Sequence, residues 1–555
     1  MSDPTVVIVG GVAGGASAAA RARRLSERAE IIVFERGPYV SFANCGLPYY
    51  VGGEIRDRSH LLLQTPEGLR ARFNLDVRIE TDIVAIDRDA CEVVARRAGD
   101  GLEYRQRYDA LVLSTGAAPL RPPIPGIDRP GHFVLRNVPD ALEVDAFLAR
   151  HPGCRAVVIG GGYIGLEMAE QLARRRLTVT VVEALPQVAG FLDPEMAALV
   201  HAEIRRNHVT LHLGNGVSAF EAPAAPGEAL TSVVVLSDGT RIPADLVLLG
   251  MGVKPETTLA QRAGLEIGVT GGIRVDERLR TSDPRIWAVG DAIEVRHGVT
   301  GQPMLLPLAG PANRQGRIAA ENILGRQATY QATFGTGVLR VFGLTVGGTG
   351  ANSRMLRQAG ITFGAVHLHP LSHAGYYPGA VPLSIKLLYE PATGRVLGAQ
   401  TVGKEGVDKR LDVLATAIQA GLTVSQVAQL ELGYAPPFGS AKDPVNLAGM
   451  VAENVRNGDV AVAHYDEVAA LARATTVLLD VREPMELHDG VIPGSVHISL
   501  GELRARMDEL PKDKEIVVYC RSGQRSYYAC RTLSQNGYRT RNLSGAYLTW
   551  HAMQA

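Results

Sequence analysis

One segment constrains the fold more than any other: Gly160-Gly161-Gly162-Tyr163-Ile164-Gly165, set between an apolar run at 156–159 and a helix-forming stretch. A G-x-G-x-x-G at that junction requires a strand, a tight turn and a helix in immediate succession. Its glycines permit the turn, the close approach of a pyrophosphate to the backbone and the packing of helix on strand. The helix N-terminus favours the negative charge. The next apolar run, 179–182, ends in Glu183, 18 residues after Gly165. A carboxylate there bonds a ribose 2′-OH and repels a 2′-phosphate, so NADH is expected over NADPH. Arg174, Arg175 and Arg176 lie in the same stretch and would add the positive field that favours NADPH.

The same order stands at the start of the chain: a β-branched run at 5–9, a helix-forming stretch at 16–25, an apolar run at 31–34, then Glu35. Its loop, Gly10-Gly11-Val12-Ala13-Gly14-Gly15, has Val12 where the second glycine of the motif belongs. Two such units predict two nucleotide-binding domains of doubly wound α/β type. A further strand end, Trp287-Ala288-Val289-Gly290-Asp291, supplies another acid. An FAD with its adenosine by Gly10 and Glu35 and its ribityl chain near Asp291 accounts for both acids. The alternative for Asp291 is a helix N-cap.

Five cysteines, at 45, 91, 154, 520 and 530, form no C-x-x-C pair, which argues against a disulfide scaffold or a zinc site. No metal is expected. Charge balances at 57 basic and 57 acidic residues, so a broad nucleic-acid surface is excluded. The start, Met1-Ser2-Asp3-Pro4, has no basic n-region, and no run approaches the ~18 apolar residues that span a bilayer. A soluble cytoplasmic protein is the expectation. At 555 residues the chain needs several domains. The pattern places one nucleotide-binding unit from the start of the chain to about 150 and a second from 151 to about 270. An α+β domain follows at 326–450, with a helix at 411–420. A linker is expected at 451–464 around Asn457-Gly458-Asp459, and a compact α/β domain at 465–555. That last domain should open with a helix and contain strands at 477–480 and 516–519.

The order of Gly10–Gly15, Cys45, Thr115-Gly116, Gly160–Gly165 and Gly290-Asp291 resembles the FAD-dependent pyridine-nucleotide–disulfide oxidoreductases over residues 1–450. Ser41-Phe42-Ala43-Asn44-Cys45 is similar to their single-cysteine branch, which includes coenzyme A-disulfide reductases, NADH oxidases and NADH peroxidases. The resemblance implies an FAD-binding domain at 1–150 and 271–325, interrupted by an NAD-binding domain at 151–270, then a dimerisation domain at 326–450, and a homodimer. It makes Cys45 a redox thiolate beside the flavin, with a pKa lowered by a helix N-terminus and a positive field. Ala13 stands where the peroxidases carry a catalytic His. The reductases hold a pantetheine thiol with residues like Ser41 and Asn44, and grip the nucleotide end with basic residues of the first helix. Arg21 and Arg24, three apart on one face, match, although a solvated basic face is the plainer reading. Tyrosines from the partner subunit serve the site; Tyr376 and Tyr434 match, with Tyr377 able to replace Tyr376.

The tail from about 465 resembles a rhodanese domain through Leu479-Asp480-Val481-Arg482-Glu483, His488-Asp489-Gly490-Val491-Ile492-Pro493-Gly494-Ser495 and the loop Cys520-Arg521-Ser522-Gly523-Gln524-Arg525. The likeness implies a persulfide-carrying Cys520 in a cup of backbone N–H groups. Six residues from Cys520 to Arg525 suit sulfur, because the related phosphatase loops are one residue longer. Arg521 and Arg525 would supply positive field. Cys530, Cys91 and Cys154 lack a reactive setting. The whole chain thus resembles coenzyme A-disulfide reductase–rhodanese fusions. These would use NADH, FAD and coenzyme A to reduce CoA disulfide, CoA persulfide or polysulfide, with a sulfane-sulfur donor at Cys520. Two alternatives remain: an NADH oxidase that cycles Cys45 as a sulfenic acid, and a non-catalytic redox or sulfur sensor.

Overall fold

The computed structural model describes residues 3–223, 231–472 and 474–554. Two compact units emerge: Met1–Pro186 with Val209–Thr333, and Gln187–His208 with Phe334–Ala555.

The first unit holds two five-stranded parallel sheets. One runs in the order Ile286–Ala288, Ala110–Leu113, Thr5–Val9, Glu30–Phe34, Asp76–Arg78. The other runs Thr210–Leu213, Thr178–Glu183, Arg155–Ile159, Leu246–Leu249, His132–Phe133. Their central strands, TVVIV and RAVVI, are apolar without alternation because helices and loops cover both faces. Each delivers its chain directly into a glycine loop and then a helix, Ala13–Leu25 and Tyr163–Arg174. The boundary expected at 151 moves: His132–Phe133 already pairs with Val247 and Leu248, and Ala117–Pro119 pairs with Val253–Pro255. Strands of two or three residues are too short to leave a periodicity in the sequence.

The second unit begins with an antiparallel sheet ordered Gly337–Val341, Leu344–Gly350, Val396–Gly403, Leu383–Tyr389, Gly364–Leu368, backed by the helix Val407–Gln419. Its C-terminal part is a parallel sheet ordered Ala461–Ala463, Arg539–Leu543, Glu515–Tyr519, Thr476–Asp480, Val496–His497. The expected linker at 451–464 is not a linker. The helix Pro444–Arg456 runs into it, burying Val445, Ala448 and Ala452, and Ala461–Ala463 is already a strand of the last sheet. Asn457-Gly458-Asp459 merely closes that helix, with Asp459 N–H donating to Asn454 O at 2.9 Å. The helix expected after 465 is a 3₁₀ turn, Tyr465–Ala470.

Within this unit the last sheet is joined to the antiparallel one by buried polar contacts. His367 accepts or donates at both ring nitrogens, to Ser544 Oγ at 3.0 Å and to Glu195 Oε1 at 2.8 Å. Lys386 pairs with Glu195 and, at 2.8 Å, with Asp193. His369 bonds Thr549 Oγ1 at 2.9 Å and Ser384 Oγ at 2.8 Å. Burial lowers the pKa of both imidazoles, that of His369 to about 4. The cluster is therefore neutral histidines around one Lys386 cation and two carboxylates, a fully partnered arrangement that a low-dielectric interior tolerates. Among the described residues no helix is long and apolar enough to cross a membrane.

Candidate active site

The two glycine loops are built alike. A Cβ on Gly160 would fall 2.2 Å from Gly250 O, and one on Gly165 2.0 Å from Gly160 O. In the first loop a Cβ on Gly10 would fall 2.1 Å from Ser114 O, and one on Gly15 1.8 Å from Gly10 O. Over Gly162, by contrast, a Cβ would meet nothing within 4 Å, which leaves the space a pyrophosphate needs. The strand-end acids also match. Glu183 accepts from Gly161 N–H at 2.6 Å and Leu185 N–H at 2.8 Å; Glu35 accepts from Gly11 N–H and Gly37 N–H, both at 2.9 Å. Each carboxylate keeps acceptor capacity for a ribose diol. Arg174 and Arg175 sit at the far end of the 12-residue helix, about 18 Å from its first turn. There Arg174 faces Glu54 and Glu170, and Arg175 binds Asp145 at 2.7 Å and Val51 O at 2.9 Å. Their charge is spent away from Glu183.

The residues beside the first loop fit an FAD. Asp291 lies in a short 3₁₀ turn, Gly290–Ala292, whose N-cap is Val289 and which has no side-chain cap bond. Burial raises its pKa to about 6. A carboxyl so placed suits a ribityl hydroxyl partner better than the N-cap alternative. Arg136, which sequence reasoning missed, carries a pKa lowered by burial and then by Arg36, with Glu256, Asp140 and Glu35 acting against. It forms no ion pair among the described residues and stands 3.9 Å from where a Cβ on Gly116 would lie. Thr115 Oγ1 donates to Glu256 O at 2.6 Å. Arg136 and Asp291 are thus the charged side chains near the first loop that would be available to hold an FAD. Among the described residues no three His, Cys, Asp or Glu side chains gather as a metal site.

Cys45 lies in a 3₁₀ turn, Asn44–Gly46, that leads into the five-residue helix Leu47–Val51. Ser41 takes a left-handed backbone (φ 48°), donating its N–H to Gly11 O at 2.8 Å, and so ties the cysteine segment to the glycine loop. Asn44 Oδ1 is 3.9 Å from Cys45 Sγ. The expected lowering of the thiol pKa is corrected: it is raised, by burial first and then by the carboxylates of Glu167 and Asp291. The residue is exposed, yet protein surrounds the sulfur closely enough to desolvate it. The helix after it is too short to offset two negative charges. Glu167, also missed, is one helical turn after Tyr163. It accepts from Tyr49 OH at 3.3 Å and helps burial push the Tyr163 phenol up to about 12. The i, i+4 spacing of Tyr163 and Glu167 was the available signal. Arg21 is taken up by Glu321 of the helix Ala309–Ile323, so of the two basic residues only Arg24 is exposed.

In the second unit the structure brings Tyr376 and Tyr434 together. Their hydroxyls are 2.6 Å apart although 58 residues separate them, and both side chains are exposed. The hydrogen bond between them raises the Tyr434 pKa. Tyr377 turns away onto His373.

Cys520 ends the strand Glu515–Tyr519 and is 1% exposed. Gly523 N–H donates to its sulfur at 3.1 Å and Ser526 Oγ lies 3.4 Å from it. Gly523 (φ 104°) turns the loop so that the helix Gln524–Gln535 starts against the sulfur. Arg525 grips Glu486 with two bonds, 2.6 and 2.7 Å, and Arg521 is exposed, 3.9 Å from Asp489. Arg525 therefore braces the loop through Glu486 and also acts electrostatically on Cys520.

Comparison with known proteins matches three family models to successive stretches of the chain. The pyridine nucleotide-disulphide oxidoreductase family matches residues 4–313, its dimerisation domain residues 339–444, and a rhodanese-like domain residues 464–553. The structure is similar to the reduced CoADR-RHD of Bacillus anthracis, with 47% identity and a TM-score of 0.97 over 100% of this chain and 98% of that one. It is similar also to an NAD-dependent persulfide reductase from A. fulgidus, at 39% and 0.91 over 98% and 100%. In sequence it is 31% identical over 452 residues to a coenzyme A disulfide reductase of Staphylococcus haemolyticus, covering 81% of this chain and 99% of the relative. An NADH oxidase of Methanocaldococcus jannaschii is 35% identical over 446 residues, covering 80% and 97%.

Proposed function

This chain belongs to the pyridine nucleotide-disulphide oxidoreductases, and from that premise we propose that it reduces coenzyme A persulfide or coenzyme A disulfide at Cys45 with NADH, fed with sulfane sulfur by Cys520. One observation carries the reading: Cys45 has no protein thiol to pair with. All five cysteines are free, and the other two of its unit, Cys91 and Cys154, are buried. Its oxidised partner must come from outside, as a small thiol. A rhodanese-like cup on the same chain makes a persulfide of that thiol the natural form.

The Gly160–Gly165 loop and Glu183 hold NADH; Gly10, Gly11, Gly14, Gly15, Glu35, Arg136 and Asp291 hold FAD. FAD supplies a two-electron relay between reduced nicotinamide and sulfur. The Cys45 thiolate attacks the carbon-bound sulfur of CoA persulfide, forming Cys45–S–S–CoA and releasing HS⁻. Two electrons then cleave that disulfide to the Cys45 thiolate and CoA thiol. The sum is CoA persulfide, NADH and a proton giving CoA thiol, H₂S and NAD⁺. Ser41 and Asn44 flank the thiol, and Arg24 takes a phosphate. Cys520 receives sulfane sulfur as a persulfide and passes its outer sulfur to CoA. In a homodimer, Tyr376 and Tyr434 of the second copy donate the proton to the departing sulfur. A reducing cytoplasm suits five free thiols.

Mass spectrometry of protein purified without reductant tests the reading. A CoA-sized adduct on Cys45 is expected, together with NADH oxidation that depends on added CoA disulfide. A sulfenic acid at Cys45 and NADH-driven oxygen consumption without any disulfide would replace it with an oxidase.

A further inference from the structure

The tyrosine pair is held by something that neither tyrosine touches. Arg410, on the helix Val407–Gln419, is 1% exposed. Its Nη2 donates to Ser372 O at 2.8 Å, at the base of the loop that carries Tyr376. The same nitrogen reaches Phe438 O at 3.5 Å, at the end of the loop that carries Tyr434. Its Nε and Nη2 pair with Asp443 at 3.3 and 2.9 Å, and Asp443 caps the helix Pro444–Arg456 by accepting from Val445 N–H at 3.0 Å. The two loops are also stitched to each other through Ala374 N–H and Gly439 O at 2.9 Å. Ser372, His373, Ala374 and Gly439 are buried, whereas Tyr376 is 76% and Phe438 72% exposed.

A buried guanidinium is expensive unless its donors are used. Here Nη1 donates to Gly406 O at the start of its own helix at 3.2 Å, Nε and Nη2 go to Asp443, and Nη2 also reaches the backbones of the two loops. A planar fork can bond two carbonyls and a carboxylate at fixed angles, which a lysine's single nitrogen cannot. Two exposed tyrosines on separate loops would otherwise lose rotamer and backbone entropy to keep their hydroxyls 2.6 Å apart. We infer that the Arg410–Asp443 pair is a positioning element for the Tyr376–Tyr434 proton donor, setting the distance between the two loops. The inference rests on the proposed role of the tyrosines.

The test uses the full-length flavoprotein and CoA disulfide. Arg410→Lys, Tyr376→Phe with Tyr434→Phe, and the triple variant are compared in turnover, in flavin reduction by NADH, and in thiosulfate sulfurtransfer at Cys520. Arg410→Lys is expected to lower kcat with CoA disulfide by about tenfold to a hundredfold, the scale of an ångström-sized misplacement. Flavin reduction and sulfurtransfer should hold. The triple variant should be no slower than the double tyrosine variant, because the arginine acts only through the pair. A triple variant slower by the product of the two effects would make Arg410 merely structural and overturn the inference. So would an unaltered Arg410→Lys beside a slow tyrosine variant. A fully active tyrosine variant would remove the tyrosines from the reaction, and with them both the reading and the inference. Asp443→Asn, which keeps the cap acceptor, guards against misfolding and should reproduce the Arg410→Lys split between kcat and flavin reduction.

Discussion

The two reactive cysteines are finished to different degrees by the chain. Cys520 has its sulfur buried, a backbone N–H at 3.1 Å, a hydroxyl at 3.4 Å and a loop braced by the Arg525–Glu486 pair, all from its own domain. Cys45 has two carboxylates that oppose its ionisation, and no thiol partner. A persulfide carrier needs one stable anion site, which a strand end and a helix start provide locally. A flavin-linked thiol must be reached by a cofactor, a substrate and a proton donor. Its surroundings are completed by groups that the chain only prepares for.

The largest effect expected is a clean separation of the two. Cys45→Ser should cut NADH-driven reduction of CoA disulfide by roughly 10⁴-fold, as deletion of a nucleophile does, with sulfur transfer from thiosulfate to cyanide intact. Cys520→Ser should do the reverse. Loss of both activities in either variant would mean that the centres are one site, and the comparison would fail.

The next effect concerns how the Cys520 domain is anchored. His367 and His369 bond Ser544 and Thr549, at the start of and within the helix Ala546–Ala552, and Tyr547 N–H in that helix donates to Cys520 O at 3.1 Å. Glu195, Asp193, Lys386 and His464 surround them. The His369 pKa is about 4 when folded, below the unfolded value near 6.5. Its contribution is therefore complete above about pH 6.5 and is lost as pH falls towards 4. That contribution is about 3 kcal/mol for a shift of this size. Hydrogen exchange at the Ala546–Ala552 amides, corrected for intrinsic rate, should show the helix opening more readily between pH 6.5 and 4. His369→Gln should flatten that dependence. A pH-independent opening would detach the histidines from the anchor.

Within the Cys520 cup, Ser526 can give its proton to the sulfur at 3.4 Å or to Gly523 O at 3.1 Å. Hydrogen bonds to a charged acceptor are worth about 1.5–3 kcal/mol. Ser526→Ala should slow thiosulfate sulfurtransfer by about tenfold or more and leave NADH-driven turnover unchanged. No change in the sulfurtransfer rate would assign that proton to Gly523 O alone.

The difference between the centres also decided what could be read from sequence. The Cys520 loop is contiguous, so its spacing carried its geometry, and the glycine loops with Glu35 and Glu183 were legible for the same reason. Around Cys45 the chain folds distant segments together. Glu167 and Asp291 come from two different stretches, and no local pattern announces that both carboxylates act on one thiol. Arg21 looked available because Glu321, 300 residues on, is invisible from the first helix. Asn457-Gly458-Asp459 read as a linker because turn chemistry marks a change of direction and not the independence of the next domain. The buried cluster of Glu195, His367, Lys386 and Ser544 spans nearly the whole second unit and had no sequence signal at all.

The smallest expected effect is the sharpest measure of the unfinished centre. If Glu167 holds the Cys45 thiol protonated, removing its charge must lower the thiol pKa, because a carboxylate destabilises a neighbouring thiolate and an amide does not. Glu167→Gln is the right change, since an amide oxygen can still accept from Tyr49. The shift should be about one unit or less, Glu167 being second to burial among the causes, with Asp291 still in place. For a thiol that ionises above neutrality, one unit is tenfold more thiolate at pH 7. The rate of Cys45 alkylation by iodoacetamide, followed from pH 6 to 10 by mass spectrometry, reads it directly. Cys520 in the same sample, remote from the substitution in sequence and in a separate unit, should not move. A Cys45 profile that stays put, or climbs to higher pH, would take Glu167 out of the causes and leave burial and Asp291 to set the thiol. The asymmetry between the two cysteines would then owe nothing to Glu167.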